Sequence, residues 1–320
     1  MYDKSMEKLI YQKFILGTGE ALFNSIDKGL GGVIFFTRDI DSKDQFINLI
    51  SKIKQKANRK IFLSIDQEGG RVERTQNIHA KYLSPKFAYE RGEEFLKTQT
   101  TKIAKELKEY GINLNFAPCV DVNTNPNNPI IGERAFSTNT NDVINAEKIV
   151  CDIFPKYGII PCVKHFPGHG DANKDSHLDL PEINLSFNEM EKTHIAPFNA
   201  AIDFGVRMIM VAHLHCTCFD KEKIPTSLSK NAINYLRKIL KYDEVIITDD
   251  MVMKGVQAYG SVEACLMAIE AGVDMFIFRD ADFSTISIID ELVKVCSNNR
   301  ELEKKILESS ARINRLFNLI

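Results

Sequence analysis

The stretch from Lys164 to His177, KHFPGHGDANKDSH, concentrates ionisable side chains. It holds three of the seven histidines of the 320-residue chain, together with two lysines and two aspartates. Asp175 and His177 are two residues apart, so in an extended segment their side chains share a face. The carboxylate would then orient the imidazole and raise its pKa, which suits a general acid and base near neutral pH. The spacing fits equally well a turn capped by Asp175 with His177 merely exposed.

Asp249 is a second candidate for chemistry, because it comes near the end of the apolar run EVIITDD, residues 244–250. A buried strand would hold its carboxylate rigidly. A retaining glycosidase needs a carboxylate nucleophile and an acid/base, usually a second carboxylic acid about 5 to 5.5 Å away. Spacing alone does not choose the partner; the candidates are Asp66, Glu68, Asp175 and Asp250.

The segment HLHCTC, residues 213–218, offers four possible metal ligands: His213, His215, Cys216 and Cys218. Zinc sites usually combine ligands at wider, split spacings. The alternation also fits a strand whose side chains point to opposite faces in turn. We therefore expect no metal and no cofactor, and the roles of these four residues stay open at this point.

Seven apolar runs of strand length recur along the chain with helical segments between them. They span residues 31–36, 61–66, 113–121, 159–166, 206–215, 244–250 and 273–280. Their apolar character is continuous, which is typical of strands covered on both faces of a parallel sheet. A weaker run at 224–229 is interpreted as the eighth strand. Ser186 with Glu189 fits a capping box, and Ser229 fits the N-cap of another helix.

This alternation predicts an α/β protein with one TIM-like (β/α)8 barrel, and residues 1–320 as one catalytic domain. An open doubly wound sheet is the alternative, but no glycine-rich fingerprint follows the first run. Most of the runs end in polar residues, as in SIDQEGGR, APCVDVN, VKHFPGHG, VAHLH, ITDD and IFRD. In a barrel these ends converge on one mouth, where active sites lie.

Composition restricts the partners. The net charge is −2, which gives no general field favouring nucleic acid or an anionic membrane. No apolar run reaches the roughly 18 to 20 residues of a membrane span, and the N-terminus does not resemble a signal peptide. The seven cysteines are scattered and odd in number, which favours reduced thiols and a cytoplasmic location. The oligomeric state is not readable.

Three segments resemble signatures of glycoside hydrolase family 3, in particular of its β-N-acetylglucosaminidases (β-N-acetylhexosaminidases). They are SIDQEGGRVER, KHFPGHGDANKDSHLDLP and VIITDDMVMKGV. The resemblance extends over nearly the whole chain and includes IGERAFS at 131–137 and PTSLS at 225–229. The histidine-containing signature distinguishes this branch from the β-glucosidases of the family.

The resemblance implies a role for each matching residue. Asp249 corresponds to the nucleophile, His177 to the acid/base and Asp175 to the residue that orients it. Residues that would hold a terminal N-acetylglucosamine are Asp66, Arg134, Lys164 and His165. His169 and Gly170 belong to the loop that delivers His177.

The implied activity is that of a retaining exo-β-N-acetylglucosaminidase, without cofactor, acting on a small carbohydrate or muropeptide, as in cell-wall recycling. A family 3 β-glucosidase and an N-acetylglucosamine phosphorylase are alternatives. Phosphate is conceivable as acceptor because an imidazole acid/base adds no second negative charge. A non-catalytic sugar-binding protein is a rival of another class, which the combination of Asp249, Asp175 and His177 disfavours.

Overall fold

Eight parallel strands close into a barrel in the computed structural model of the chain, which describes residues 4–172 and 180–320. Around the barrel the strands follow the order β1, β10, β9, β7, β5, β4, β3, β2, and β2 returns to β1. Two further short strands, β6 and β8, pair in parallel outside it. The bounds are β1 (Phe14–Leu16), β2 (Gly32–Phe35), β3 (Phe62–Ile65), β4 (Leu114–Asn115), β5 (Ile160–Phe166), β6 (Glu182–Ile183), β7 (Met208–Val211), β8 (His215–Cys216), β9 (Val245–Asp250) and β10 (Met275–Phe278).

Helices fill the connections between the strands and surround the barrel. The α-helices are α1 (Lys4–Tyr11), α2 (Leu22–Asp27), α3 (Lys43–Ala57), α4 (Pro85–Glu90), α5 (Glu93–Tyr110), α6 (Thr140–Lys156), α7 (Phe187–Glu189), α8 (Ala196–Asp203), α9 (Lys230–Asn234), α10 (Lys254–Gln257), α11 (Ser261–Ala271), α12 (Phe283–Ser297) and α13 (Arg300–Phe317). Short 3-10 helices span Thr37–Asp39, Gly132–Arg134 and Thr226–Leu228, and π-helical turns span Met190–Ile195 and Tyr235–Ile239. The predicted (β/α)8 barrel is confirmed. No helix in the described ranges combines the length and apolar character needed to cross a bilayer.

The predicted position of the eighth strand is wrong. The segment 224–229 is not a barrel strand, because Thr226–Leu228 form a 3-10 helix and the segment has no place in the strand order of the barrel. The missing strand is β1, which has three residues and pairs with both β10 and β2. A run of three apolar residues between a helix and a glycine carries too little periodicity to be distinguished from a helix end.

Both predicted helix caps are confirmed. Ser186 and Glu189 form a reciprocal capping box, with the Glu189 carboxylate accepting from the Ser186 N–H at 2.8 Å. The Ser229 hydroxyl accepts from the Ala232 N–H at 3.0 Å and starts α9. Each cap satisfies N–H groups that the first helical turn leaves without partners.

Apolar side chains fill the barrel interior and α13 closes its lower end. Phe317 of α13 stacks on Phe62 of β3, with ring centroids 4.3 Å apart. At the opposite end the interior core finishes with Ile34, Met210 and Ile277, which also line the cavity described below. The barrel is therefore a packed core with its one open end at the carboxyl ends of the strands.

Candidate active site

A cavity of about 520 Å³ opens at the carboxyl ends of the barrel strands. It is lined by the predicted nucleophile and all four predicted sugar-binding residues: Asp66, Arg134, Lys164, His165 and Asp249. The volume is within the usual range for a small-molecule site. The convergence of polar strand ends predicted from the sequence is thus present in the structure.

Asp249 lies in β9 with its carboxylate at the cavity. Its Oδ1 accepts a hydrogen bond from the Asp250 N–H at 2.8 Å. Burial by itself would raise the pKa of Asp249, but His165, His213, the Asp250 amide and Lys164 together hold it below its ordinary value. The carboxylate is therefore ionised at neutral pH, as a nucleophile requires.

The neighbouring Asp250 is in a different situation. Its carboxylate accepts from the Arg279 guanidinium and from the Val252 N–H. Burial raises the pKa of Asp250, and Arg279 only partly offsets this. A carboxylate engaged by a cation and a backbone amide is not available to react, so the two adjacent aspartates have different roles.

His213 supports this strand end. Its Nδ1 lies 2.7 Å from the Ser227 hydroxyl and its Nε2 lies 3.2 Å from the Asp250 carbonyl oxygen. The carbonyl can only accept, so Nε2 carries the proton and Nδ1 accepts from Ser227. Burial lowers the pKa of His213, and the nearby Asp249 carboxylate partly opposes this. The Asp250 carbonyl fixes the tautomer of His213, and the Ser227 hydroxyl completes the arrangement by donating to Nδ1.

Lys164, in β5, bridges the carboxylates of two residues that follow β3. Its Nζ lies 2.8 Å from Asp66 Oδ1 and 2.6 Å from Glu68 Oε1. Burial would lower the pKa of Lys164, but the two carboxylates raise it overall. These two contacts engage two of the three ammonium protons.

Arg134 connects this ion pair to a histidine. It contacts Glu68 through Nε at 3.0 Å and Nη2 at 2.9 Å, and Nη2 also lies 3.2 Å from His165 Nε2. His165 Nδ1 lies 2.7 Å from Asp121 Oδ2. Because a guanidinium only donates, Nε2 of His165 accepts and Nδ1–H donates to Asp121. The ring is fixed in one tautomer with its partners on both sides.

Only some members of this chain of alternating charges were predicted from the sequence. Asp121 and the bridging role of Glu68 were not predicted, although APCVDVN was recognised as a polar strand end. Both residues are buried, and cationic or imidazole neighbours hold their pKa values below the ordinary range against the opposing effect of burial. Their signal was a carboxylate after an apolar run, which by itself is indistinguishable from a helix cap.

The glycines at the start of the histidine-containing loop are required by close packing. Gly168 has φ +117°, and a Cβ there would lie 2.6 Å from the Cβ of His194. A Cβ on Gly170 would lie 1.7 Å from the Val122 carbonyl oxygen. His169 between them is buried at the cavity wall, and burial lowers its pKa to about 4. Asp175 and His177 lie outside the described residues.

The HLHCTC segment does not assemble into one ligand set. His213 faces Ser227, whereas His215 Nε2 lies 2.9 Å from the Asp220 carbonyl oxygen. Within residues 4–172 and 180–320, the group close enough to hold a metal is Cys119, Asp121 and His165, with ligand atoms within 4.8 Å of one another. In this group the Cys119 thiol donates to Asp121 Oδ2 at 3.2 Å, and burial raises the pKa of the thiol well above its ordinary value.

Arginines surround an aromatic ring at the cavity mouth. The guanidinium carbons of Arg38 and Arg74 lie 5.2 and 5.7 Å from the ring centroid of Phe36. Arg38 is exposed, and Arg279 lines the same side of the cavity. The mouth therefore offers an aromatic surface flanked by guanidinium groups, each of which has an aspartate partner: Arg38 with Asp280, Arg74 with Asp66 and Arg279 with Asp250.

Comparison with known proteins agrees with this geometry. Residues 20–316 match the model of the glycosyl hydrolase family 3 N-terminal domain. The chain is 31% identical to β-hexosaminidase A of Pseudoalteromonas piscicida over 90% of its own length and 53% of that protein, so it spans about half of this relative. It is 32% identical to the β-hexosaminidase of Tolumonas auensis, covering 82% of the chain and 79% of that protein.

A solved structure extends the similarity to three dimensions. The family 3 β-N-acetylglucosaminidase from Paenibacillus sp. FPU-7 superposes with a TM-score of 0.93 at 31% identity, over 98% of this chain and 62% of the other. The family match covers most of the chain, and the Paenibacillus enzyme has the same fold over 98% of it. The chain therefore belongs to glycosyl hydrolase family 3, and the relatives that it matches are β-hexosaminidases.

Proposed function

We propose that the chain is a retaining exo-β-N-acetylglucosaminidase in which Asp249 is the nucleophile and residues 1–320 act as one catalytic domain. The observation that carries this is the state of the carboxylates lining the cavity. Within the described parts of the chain, Asp66 and Asp250 form ion pairs with Lys164 and Arg279, whereas Asp249 has no ion pair. Asp249 is held ionised by its surroundings and faces the space where a sugar would lie.

The same observation supports an acid/base that is not a second carboxylate from the barrel. Asp66, Glu68 and Asp250 were the candidates inside the described residues, and each is engaged by a cation. A group that must gain and lose a proton in each half-reaction cannot remain locked in such a pair. We assign this role to His177, with Asp175 as the residue that orients it.

The reaction proceeds by double displacement. Lys164, Arg134, Asp66 and His165 bind the terminal N-acetylglucosamine and place its anomeric carbon over Asp249. Protonated His177 donates to the glycosidic oxygen while Asp249 attacks, which forms a glycosyl ester and releases the aglycone. Neutral His177 then takes a proton from water, the water cleaves the ester, and the configuration at the anomeric carbon is retained.

Trapping the ester tests the nucleophile. A slow 5-fluoro-N-acetylglucosaminide should add one glycosyl group to the peptide that contains Asp249. Asp249→Asn should remain folded and lose more than about 10³-fold in turnover of the p-nitrophenyl N-acetyl-β-glucosaminide. A label on another peptide, or near-normal turnover by the variant, would contradict the assignment.

Chemical rescue tests the acid/base. His177→Ala should lose about 10² to 10⁴-fold on a disaccharide, which needs protonation of its leaving group, and much less on an aryl glycoside. Azide should restore part of the aryl glycoside turnover by attacking the ester directly. Unchanged disaccharide turnover would remove His177 from the mechanism and leave the nucleophile untouched.

The arginine-flanked mouth supports an anionic aglycone, and therefore a muropeptide as the substrate and cell-wall recycling in the cytoplasm as the setting. Guanidinium groups pair readily with carboxylates, and Phe36 offers a surface for a second sugar ring. Arg38→Gln should lower kcat/KM several-fold for N-acetylglucosaminyl-N-acetylmuramic acid and leave chitobiose unaffected. Equal losses on both disaccharides would argue against a charged aglycone.

A phosphorylase is the second candidate, supported by cationic side chains that outnumber the carboxylates in the cavity lining. Arg74, Arg134, Lys164 and Arg279 line it, and inorganic phosphate could approach an ester flanked by an imidazole more easily than one flanked by a carboxylate. Turnover in phosphate should be compared with turnover in a neutral buffer, with N-acetylglucosamine 1-phosphate assayed. Formation of the sugar phosphate would identify a phosphorylase, and free sugar alone a hydrolase.

A further inference from the structure

The thiols of Cys216 and Cys218 form a close pair that the glycosidase reaction does not use. Their sulfur atoms are 3.3 Å apart. Cys216 lies in β8, opposite Ile183 of β6. The chain then turns, because the Cys216 carbonyl accepts from the N–H groups of Phe219 at 3.0 Å and Asp220 at 3.3 Å. This turn brings the two sulfur atoms closer together than the spacing of alternate residues in an extended strand would.

Access to solvent distinguishes Cys218 from the other thiols. All seven cysteines lie in the described parts of the chain, and Cys218 is the one that is not buried. Its hydrogen bond with Cys216 lowers the pKa of Cys218, while the same contact, together with burial, raises that of Cys216. Burial raises the pKa of the thiols of Cys119, Cys151, Cys162, Cys265 and Cys296. A reactive thiol needs a lowered pKa and access to solvent, and Cys218 has both.

We propose that Cys216 and Cys218 are a redox-active dithiol that closes to an intrachain disulfide when a hydroperoxide oxidises it. The Cys218 thiolate attacks the peroxide, becomes a sulfenic acid and releases water from hydrogen peroxide. The Cys216 thiol then attacks that sulfur, its proton leaves with the hydroxyl group as a second water, and the S–S bond forms. Two electrons pass from the two thiols to the peroxide, so the exchange is balanced.

The spacing makes this bond a reversible one. The sulfur atoms need to approach from 3.3 Å to about 2.05 Å, a movement within the reach of side-chain rotation. Only one residue separates the two cysteines, so the bond constrains little of the unfolded chain and contributes little to stability. A short ring of this kind is more easily reduced than a structural disulfide, and a dithiol reductant should reopen it.

The pair lies behind the active site rather than in it. Phe219, the residue after Cys218, packs against Phe166 with ring centroids 6.4 Å apart, and Phe166 is the last residue of β5. His213, which supports Asp249, precedes Cys216 by three residues in the chain. The inference rests on the thiols alone and stands whether or not the proposed function is correct.

A single tryptic peptide makes the test direct. Residues 208–221 follow Arg207, end at Lys221 and contain both cysteines and no other. The folded protein should be treated with hydrogen peroxide, denatured, alkylated with iodoacetamide and digested. We expect this peptide to lose two hydrogens and to escape alkylation, while peptides with Cys162 and Cys265 stay alkylated. Dithiothreitol before alkylation should restore two carbamidomethyl groups.

Variants identify the attacking sulfur. Cys216→Ser should leave a Cys218 sulfenic acid that dimedone labels, whereas Cys218→Ser should leave Cys216 unlabelled and reduced. Cys265→Ser is a matched control that leaves the pair intact and should behave like the wild type. Wild-type peptide 208–221 that stays fully alkylated after oxidation, or that carries a sulfinic acid or an intermolecular disulfide instead, would overturn the proposal.

Discussion

At the level of single residues, Asp249 and Asp250 show how neighbouring side chains of one type acquire opposite properties. Both are largely buried, and burial disfavours the charge of each. Nearby imidazoles, an amide and an ammonium group lower the pKa of Asp249, whereas burial dominates at Asp250 despite its contact with Arg279. The difference comes from what each side chain faces, since successive residues of a strand point to opposite sides.

The hydrogen bonds of His213 lead to a prediction about residues that touch no substrate. Ser227→Ala removes the donor that holds Nδ1 of His213 as an acceptor, so the contact with the Asp250 carbonyl weakens. A hydrogen bond contributes about 1 kcal/mol, which corresponds to a loss of roughly five- to tenfold in kcat. We expect KM for the p-nitrophenyl substrate to remain unchanged, because the sugar contacts are intact.

Thr226→Val is the matched control for this prediction. It removes a hydrogen bond of the same kind from the same turn, that from Thr226 Oγ1 to the Leu214 carbonyl. The two variants should lose similar stability, but only Ser227→Ala should lower kcat. An equal fall in kcat for both would show that the turn matters only for folding.

At the level of elements, helices perform different tasks at the two ends of the barrel. Below, α13 closes the interior by stacking Phe317 on Phe62. Above, the π-helical turn Met190–Ile195 presents His194 to Gly168, at the start of the histidine-containing loop. π-helical turns are often found near functional sites, and here one lies directly beneath a loop that the proposed mechanism requires.

Helix α6 contains a buried glutamate, Glu147, whose pKa leads to a prediction about the pH dependence of the free energy of unfolding. Glu147 is fully buried, and neither carboxylate oxygen has a partner among the described residues. Burial raises its pKa well above the ordinary value, so the folded protein binds this proton more tightly than the unfolded chain does. The stability associated with the proton is complete below about pH 4.5 and is lost as the pH rises above it, at about 1.4 kcal/mol per unit.

Glu147→Gln should therefore stabilise the protein at pH 8 by about 1 to 3 kcal/mol and have little effect near pH 4. Urea unfolding of both proteins at the two pH values measures the difference. Turnover of the aryl glycoside should not change, since Glu147 does not line the cavity. A gain in stability of the same size at both pH values would mean that the charge is not the cause.

At the level of the whole molecule, ion pairs link the ends of several strands around the cavity. Asp66 and Glu68 follow β3, Asp121 follows β4, and Lys164 and His165 belong to β5. Arg134 joins them from the connection between β4 and α6. This network arranges polar groups around the cavity and at the same time holds the open end of the barrel together.

Acid should weaken this network. Despite burial, the cationic and imidazole neighbours hold the pKa values of Asp66, Glu68 and Asp121 below the ordinary range. Their contribution to stability is complete above pH 4 to 5, the ordinary carboxyl range, and is lost as the pH falls below it. We expect the free energy of unfolding to fall by about 3 kcal/mol or more between pH 5 and pH 2.

Urea unfolding followed by circular dichroism at each pH measures this loss. Glu68→Gln should lower stability at pH 7 and reduce the slope below pH 4, because one of the depressed carboxyls no longer titrates. Lys43→Gln removes an exposed partner of Glu109 and should leave the slope as in the wild type. A slope that Glu68→Gln does not alter would place the acid sensitivity elsewhere.

Much of the fold was determined by the sequence itself. Continuous apolar runs indicated buried parallel strands, and parallel strands joined by helices need a barrel or a doubly wound sheet to cover both faces. The polar strand ends then predicted one mouth, and Asp66, Arg134, Lys164, His165 and Asp249 do line it. These predictions succeeded because periodicity and strand ends are local properties, which the chain carries before it folds.

Only the tertiary structure decided how these residues are paired and which short run closes the barrel. β1 has three residues and is a strand because β10 and β2 flank it, and no local pattern distinguishes it from 224–229. Three sets of contacts likewise depend on strand register and barrel closure. Asp121 contacts His165, Glu68 lies between Lys164 and Arg134, and Ser227 contacts His213. Residues far apart in the chain acquire their partners only when the last strand pairs with the first, so their chemistry is a property of the closed barrel.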